Sequence, residues 1–339
     1  MSDSVFVLNT GGTIGMVDTP DGYAPVPGAL EPYLDWIIEN ARSELPPIAF
    51  LELDPPIDSA NATPDDWCAV ARVLYERRAH HAGFVVLHGT DTMAYTSSAL
   101  SFLLPDFGKP VVVTGSQIPI ARTRSDGRQN VIGALQVAGE GEVREVTLLF
   151  GEVLIRGNRA TKVDAFGLDA FDSPRFPPLA EIGIDIVVNQ SIVRSATGEP
   201  GLMAGRLGKV AATRLFPGFS GSIMANLCRA PLQGLVIEAY GAGNGPSNDP
   251  EFLGAIEGAT DQGIVVVVVT QCARGSVQPG AYATGSALMR VGAVPGYDMT
   301  SEAALTKLAV LLGQGYDAST VARMMQRDIA GELSRQDPP

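Results

Sequence analysis

The chain has 339 residues, past the size at which one hydrophobic core keeps growing, so two domains are expected. A hydrophobic share of 45% beside 18% charged residues fits a soluble globular protein with large cores. The formal charge of −13, from 24 basic and 37 acidic residues, disfavours nucleic-acid and membrane-surface roles, because an acidic surface repels phosphate and anionic lipid.

Met1-Ser2-Asp3-Ser4 leads straight into a first strand, with no basic or cleavable apolar segment. That strand, the apolar run Val5 to Leu8, stops at Asn9-Thr10, and Gly11-Gly12 lets the backbone turn sharply at its carboxyl end. Ligands bind at that edge of an open α/β sheet, so the Thr13 hydroxyl is well placed for chemistry. A turn whose threonine bonds only local backbone fits the segment equally well. Residues 16–28 read as a long loop carrying Tyr23, and long loops in compact domains are usually functional. The spacing of Leu30, Leu34, Ile37 and Ile38 predicts a helix from Ala29 to about Arg42, and Ile48 to Leu53 reads as a strand. Pro55 to Asn61 is then a rigid turn presenting Asp58 and Ser59, and Thr63-Pro64-Asp65-Asp66 opens a helix with Thr63 as its cap.

Gly83 to His88 is a further strand, ending in Gly89-Thr90-Asp91-Thr92, and a helix follows through Leu104. Pro110 to Ser116 repeats the pattern of strand and polar glycine turn. Asp126, with Gln129 three residues later, reads as a capping-box helix start, and Val146 to Gly151 as another strand. This alternation predicts an α/β fold whose larger N-terminal domain holds a parallel sheet covered on both faces. Its strand-end turns would converge on one edge.

From Phe171 the texture changes to loop and linker, at Ser173 to Pro178 and Ser195 to Gly201. The expected division is a catalytic domain over residues 1–187, a linker over 188–209 and a smaller C-terminal α/β domain over 210–339, with the boundary inside 186–209. In the second half, strands are predicted near Val210–Leu215, Leu235–Tyr240 and Ile264–Thr270, a helix from Asp249-Pro250-Glu251, closing helices over 302–312 and 318–330, and a tail from Gln336 to Pro339. Cys68, Cys228 and Cys272 are too few and too scattered for a disulfide framework or a cysteine metal site, which fits a reducing compartment. Apolar runs such as Ile264 to Val269 fall far short of a membrane span, and a cytoplasmic soluble protein is expected.

Several chemistries have little support. There is no G-x-x-x-x-G-K-[ST] run, no G-x-G-x-x-G spacing at Thr10 to Gly15, no G-x-S-x-G elbow and no H-E-x-x-H. With His80, His81 and His88 alone there is no histidine metal cluster, so neither metal nor cofactor is expected. His88, ending a buried strand, reads as structural. What remains is hydroxyls, a carboxylate and a lysine: Thr13 with nearby Tyr23 makes one pair of nucleophile and proton relay, and Thr90-Asp91 with Lys162 makes another. A hydroxyl needs a neighbouring base to take its proton, and a lysine tuned by its surroundings can serve. A solvated loop cation at Lys162 and a helix cap at Thr90-Asp91 are the plainer alternatives.

Thr10-Gly11-Gly12-Thr13-Ile14 and His88-Gly89-Thr90-Asp91-Thr92 resemble the two signatures of the bacterial-type L-asparaginases. The likeness runs through Asp58-Ser59, Gly115-Ser116-Gln117, Arg124-Ser125-Asp126-Gly127 and Arg156-Gly157-Asn158-Arg159 to Lys162. It continues at Tyr240-Gly241-Ala242-Gly243-Asn244, Thr270-Gln271-Cys272 and Tyr282-Ala283-Thr284-Gly285. The chain is most similar to the cytoplasmic type I branch.

The resemblance implies hydrolysis of L-asparagine to L-aspartate and ammonia, with Thr13 as nucleophile, Tyr23 assisting its deprotonation, and Thr90, Asp91 and Lys162 as a second triad. Asp58, Ser59, Thr90 and Asp91 would hold the substrate; from loop geometry, backbone amides near Thr90 are the candidates for stabilising the oxyanion. Asn244 matches a position that reaches the neighbouring subunit's site; an asparagine in a glycine turn is its plainer reading. The family implies a homodimer, commonly paired into a tetramer, and in some members an effector site to which Gln117, Thr161 and Cys272 correspond. Glu238 stands where an arginine would bind the effector's carboxylate, which argues against allosteric control here. Two other readings are an archaeal glutamyl-tRNA amidotransferase amidase subunit, which the acidity and the lack of an added RNA-facing domain disfavour, and a catalytically silent binding protein.

Overall fold

The computed structural model describes residues 4–20, 22–41, 44–280 and 283–334. Tyr282 and the expected tail from Gln336 to Pro339 lie outside them. The chain divides into one compact unit running to Ser173 and again from Pro177 to Leu202, and a second formed by Pro174–Phe176 and the residues from Met203 onward.

The first unit is built on apolar strands too continuous to leave a face in water. β1 (Val5–Gly11) is followed by β2 (Met16–Thr19), β3 (Gly22–Pro25), α1 (Glu31–Asn40), β4 (Ile48–Ile57) and α2 (Pro64–Arg77). Next come β5 (Gly83–Leu87), α3 (Met93–Leu103), β6 (Val111–Thr114), α4 (Gly127–Glu140), β7 (Val146–Phe150) and β8 (Val153–Arg156). Short strands β9 (Thr161–Lys162), β10 (Phe171–Asp172), β11 (Ala180–Ile182) and β12 (Ile186–Val188) complete it. Every residue of β5 is buried, so both of its faces are covered.

The large sheet runs in the order β12-β11-β8-β7-β6-β5-β1-β4. Its pairings from β4 across to β7 are parallel, as the alternation of strand and helix predicts. Beyond β7 the sheet turns antiparallel, a departure from the purely parallel expectation. The cause is local: Phe150 pairs with Val153 across the two-residue link Gly151-Glu152, and so short a connection can only reverse the chain. The α2 start matches its signal, with Thr63 N donating to Asp66 Oδ2 at 2.7 Å. Asp126 does precede α4, yet its side chain makes no cap. It accepts instead from Gln117 N at 2.9 Å and Ile118 N at 3.0 Å, tying down the turn after β6.

The second unit holds β13 (Val210–Arg214), α5 (Gly221–Leu227), β14 (Gly234–Ala239), α6 (Pro250–Asp261), β15 (Val265–Thr270), α7 (Ala283–Arg290), β16 (Val294–Pro295), α8 (Ser301–Gly313) and α9 (Ala318–Met325). Its sheet is parallel in the order β13-β14-β15-β16. Alternate residues serve opposite faces: Leu235 and Ile237 pack with Phe252 and Ile256 of α6, Val236 with Leu308 of α8 and Val321 of α9. Asp249 starts α6 by accepting from Glu251 N at 3.0 Å and Phe252 N at 3.1 Å.

Candidate active site

Loops at the carboxyl ends of β1, β4, β5 and β6 meet where their glycines allow backbone to touch backbone. Gly12 has φ +89, and a Cβ there would lie 2.2 Å from Gly89 N. A Cβ on Gly89 would lie 2.4 Å from Ser59 Oγ, and one on Gly115 2.2 Å from the His88 carbonyl oxygen. No side chain fits at these contacts, so the turn carrying Thr13 and the turn carrying Thr90 abut through glycine alone.

Thr13 is half-buried and opens a single helical turn, Thr13–Gly15, directly after β1. Its hydroxyl makes no hydrogen bond among the described residues. Tyr23 lies on β3, which pairs with β2 in an antiparallel ribbon where Asp18 opposes Tyr23. Residues 16–28, read as loop, therefore carry a hairpin on which Tyr23 is 46% exposed. The hairpin was illegible because Met16-Val17-Asp18-Thr19 and Gly22-Tyr23-Ala24-Pro25 have too few apolar residues to show a two-residue period. Asp58 closes β4, its Oδ1 accepting from Ala60 N at 3.1 Å, and buried Ser59 accepts the Thr92 hydroxyl on its carbonyl at 2.8 Å.

Thr90, 5% exposed, sits at the centre. Lys162 Nζ donates to Thr90 Oγ1 at 2.9 Å and to Asp91 Oδ1 at 2.9 Å. Thr90 Oγ1 in turn donates to Gln117 Oε1 at 3.0 Å. The Gln117 amide nitrogen faces the carbonyls of Ala165 at 3.3 Å and Gly167 at 3.1 Å, so its oxygen is the end left for Thr90. Asp164 braces the same loop through Gly167 N and Phe166 N, each at 2.8 Å, and these bonds pull its carboxyl below the usual range. The cluster thus joins a buried hydroxyl, an ammonium that donates to its oxygen, and a carboxylate whose side chain is 64% exposed.

Asn244, Cys272 and Glu238 belong to the second unit. Asn244 closes a backbone bridge with Tyr240 and its Oδ1 accepts from Thr284 Oγ1 at 2.7 Å. Cys272 is a free, exposed thiol. Thr161 lies on β9 opposite Asp172. Glu238 Oε2 is paired to Arg214 Nε at 2.7 Å, the two residues facing each other across β13 and β14. That ion pair is a feature sequence reasoning missed; only the strand register reveals it. His88, at the end of its strand, bonds the peptide next to Thr90, its Nδ1 2.7 Å from the Gly89 carbonyl oxygen. Among the described residues no three His, Cys, Asp or Glu side chains are grouped to hold a metal ion, and no helix is long and apolar enough to cross a membrane.

Comparison with known proteins places these observations in a family. Residues 4–194 match the model for "Asparaginase, N-terminal" and residues 209–325 that for "Glutaminase/Asparaginase C-terminal domain". The chain is 46% identical over 344 residues to L-asparaginase 1 of Escherichia coli strain K12, covering 98% of this chain and 99% of that protein. The crystal structure of L-asparaginase I from Vibrio cholerae superposes with a TM-score of 0.90 at 38% identity, over 99% of this chain and 100% of that one. The thermostable L-asparaginase from Thermococcus kodakarensis superposes with a TM-score of 0.90 at 34% identity, over 98% of this chain and 100% of that one.

Proposed function

The chain belongs to the asparaginase family, and from that premise we propose that it hydrolyses the side-chain amide of L-asparagine to L-aspartate and ammonia through an acyl-enzyme on a threonine. The observation that carries this reading is the Thr90–Lys162–Asp91 cluster, in which one ammonium bonds a buried hydroxyl and an exposed carboxylate. Gly12 packed on Gly89 sets the Thr13 turn beside that cluster.

In this reading the Thr13 oxygen attacks the amide carbon while Tyr23 relays its proton, taking it from Thr13 as the phenol's own proton passes on toward the amide nitrogen. The amide nitrogen gains a proton and leaves as ammonia, and the threonine is left as an ester. Water then attacks the ester carbon, releases aspartate and returns the proton to Thr13. Lys162, once it has passed a proton to the Asp91 carboxylate it bonds, can take the Thr90 proton, which makes Thr90 the competing nucleophile. Asp91 and Ser59 hold the substrate's α-amino and α-carboxylate groups, Asp58 lines the same substrate site, and Asn244 completes it from a second copy in a homodimer, itself pairing into a tetramer. Cytoplasmic location belongs to the same proposal; Gln117, Thr161 and Cys272 match parts of the family's effector pocket, but with Glu238 in place of an arginine no allosteric control is proposed.

The test is ammonia release from L-asparagine and, separately, L-glutamine by the wild type, Thr13→Ala and Thr90→Ala. Asparagine turnover abolished by both substitutions supports the reading. Equal wild-type rates on both amides move it to a glutaminase-asparaginase, and no ammonia from the folded wild type overturns it.

A further inference from the structure

His88 is buried immediately before the Gly89-Thr90 turn, and the reaction as drawn above does not use it. Its two nitrogens are both engaged: Nδ1 lies 2.7 Å from the Gly89 carbonyl oxygen and Nε2 lies 2.9 Å from Thr96 Oγ1. A carbonyl can only accept, so Nδ1 carries the proton. Burial holds the ring's pKa below the ordinary histidine value, which keeps it neutral. A neutral ring protonated at Nδ1 leaves Nε2 bare, and the Thr96 hydroxyl must donate to it. One directional chain results, from Thr96 O–H to Nε2 and from Nδ1–H to the Gly89 carbonyl.

That carbonyl belongs to the peptide whose nitrogen is Thr90 N. In a trans peptide the C=O and N–H point in opposite directions, and the cis bonds among the described residues are Asp54–Pro55 and Ala230–Pro231. With the oxygen held on the histidine side, the Thr90 N–H is turned the other way. It makes no hydrogen bond among the described residues, although Thr90 is 5% exposed. A buried donor left unpaired is costly, so such a group is expected to meet an acceptor when the site is filled. Gly12 packs on Gly89, which puts the Thr13 turn beside this same peptide.

We propose that His88 is a positioning residue: held by Thr96, it locks the Gly89–Thr90 peptide so that the Thr90 N–H points into the site as an oxyanion donor. This rests on the amidohydrolase reading. When a threonine oxygen adds to the amide carbon, the carbonyl oxygen gains the electron pair and its negative charge, and a donor fixed in advance stabilises that charge more than the substrate carbonyl. Removing one such donor elsewhere costs about 10²–10³ in kcat, and loosening it should cost part of that range.

The test compares Thr96→Val, His88→Leu and His88→Asn in kcat and KM, each corrected for the folded fraction from its thermal transition. Thr96→Val and His88→Leu should lose about tenfold to hundredfold in kcat with KM nearly unchanged. His88→Asn should recover much of that loss relative to His88→Leu, because the asparagine amide nitrogen takes the place of Nδ1 and can donate to Gly89. A purely structural histidine would lower stability and leave the kcat of the folded fraction intact, which overturns the proposal, as would His88→Asn failing as badly as His88→Leu. Histidine 15N spectra of the wild type supply a readout independent of turnover. The proton must sit on Nδ1 of His88, and a proton on Nε2 overturns the lock. Absent ammonia release with the tautomer intact would indict the amidohydrolase reading, whereas the wrong tautomer or an unchanged kcat would indict this one.

Discussion

Gln117 Oε1 accepts the Thr90 hydroxyl proton at 3.0 Å while Lys162 Nζ donates to the same Thr90 oxygen at 2.9 Å. One threonine oxygen is thereby held from two sides, with its lone pair toward the lysine. Gln117→Leu removes the acceptor and the tether to the Ala165 and Gly167 carbonyls together. A neutral hydrogen bond is worth about 1 kcal/mol, so kcat should fall about fivefold, with faster amide exchange in the loop it holds. Unchanged steady-state kinetics and exchange would show the contact to be incidental.

Lys162, in the proposed reaction the carrier of the Thr90 proton, donates to Thr90 Oγ1 and has its side chain 21% exposed. Lys162→Met keeps length and apolar stem and removes the proton carrier. Positioned acid–base groups contribute about 10²–10⁴ in rate, so kcat should fall by that order with the fold intact. A loss below tenfold would leave the lysine as a counter-charge to Asp91 alone.

Arg214 neutralises Glu238, whose side chain is 16% exposed. An anionic carboxylate therefore meets no free positive charge at the position where the family resemblance leads one to look for an arginine. Rates plotted against asparagine concentration should be hyperbolic. A sigmoidal curve would mean that another group binds an effector.

The alternation of apolar runs and polar glycine turns made the fold legible, because parallel strands buried on both faces, such as β5, are apolar throughout. The antiparallel extension through β8, β11 and β12 was not, since a two-residue link and strands of three or four residues leave no periodic trace. Thr13 and Thr90 announced themselves through the glycines beside them. Lys162 lies 72 residues from Thr90, and no local pattern joins them; the family resemblance grouped them, and the hydrogen bond gives the distance. Gln117 facing Thr90 and His88 facing Gly89 depend on side-chain direction, which sequence spacing does not encode.

In the second unit, Lys307 and Glu332 form an ion pair at 2.5 Å with both side chains 0% exposed. Lys307 also donates to the Met325 and Arg327 carbonyls, and Glu332 accepts from Ile329 N and Ala330 N, so the pair pins the segment after α9 onto α8. Lys307→Met strands a buried carboxylate and should cost about 3–5 kcal/mol in unfolding free energy. Adding Glu332→Gln removes the charge but still accepts from both amides, so the double variant should regain much of the loss. Denaturant titration checks the order of the three proteins; a double variant weaker than Lys307→Met would show the carboxylate charge to be stabilising without its partner.

His88 carries a pH signature that its neighbours sharpen. Burial lowers its folded-state pKa below the ordinary 6.5, outweighing the Gly89 carbonyl and the Asp66 charge, which act in the raising direction. Between the folded value and 6.5 the unfolded chain binds the proton and the native chain does not, so stability rises with pH across that window and falls on acidification below 6.5. The slope from this one group approaches about 1.4 kcal/mol per pH unit inside the window. His81, whose pKa is also lowered by burial, adds in the same sense. His88→Asn removes one of the two contributions, so its thermal midpoint should depend less steeply on pH below 6.5 than that of the wild type. Parallel curves for the two proteins would mean that His88 is protonated as readily in the folded chain as in the unfolded one, contrary to its burial and its two neutral-ring hydrogen bonds.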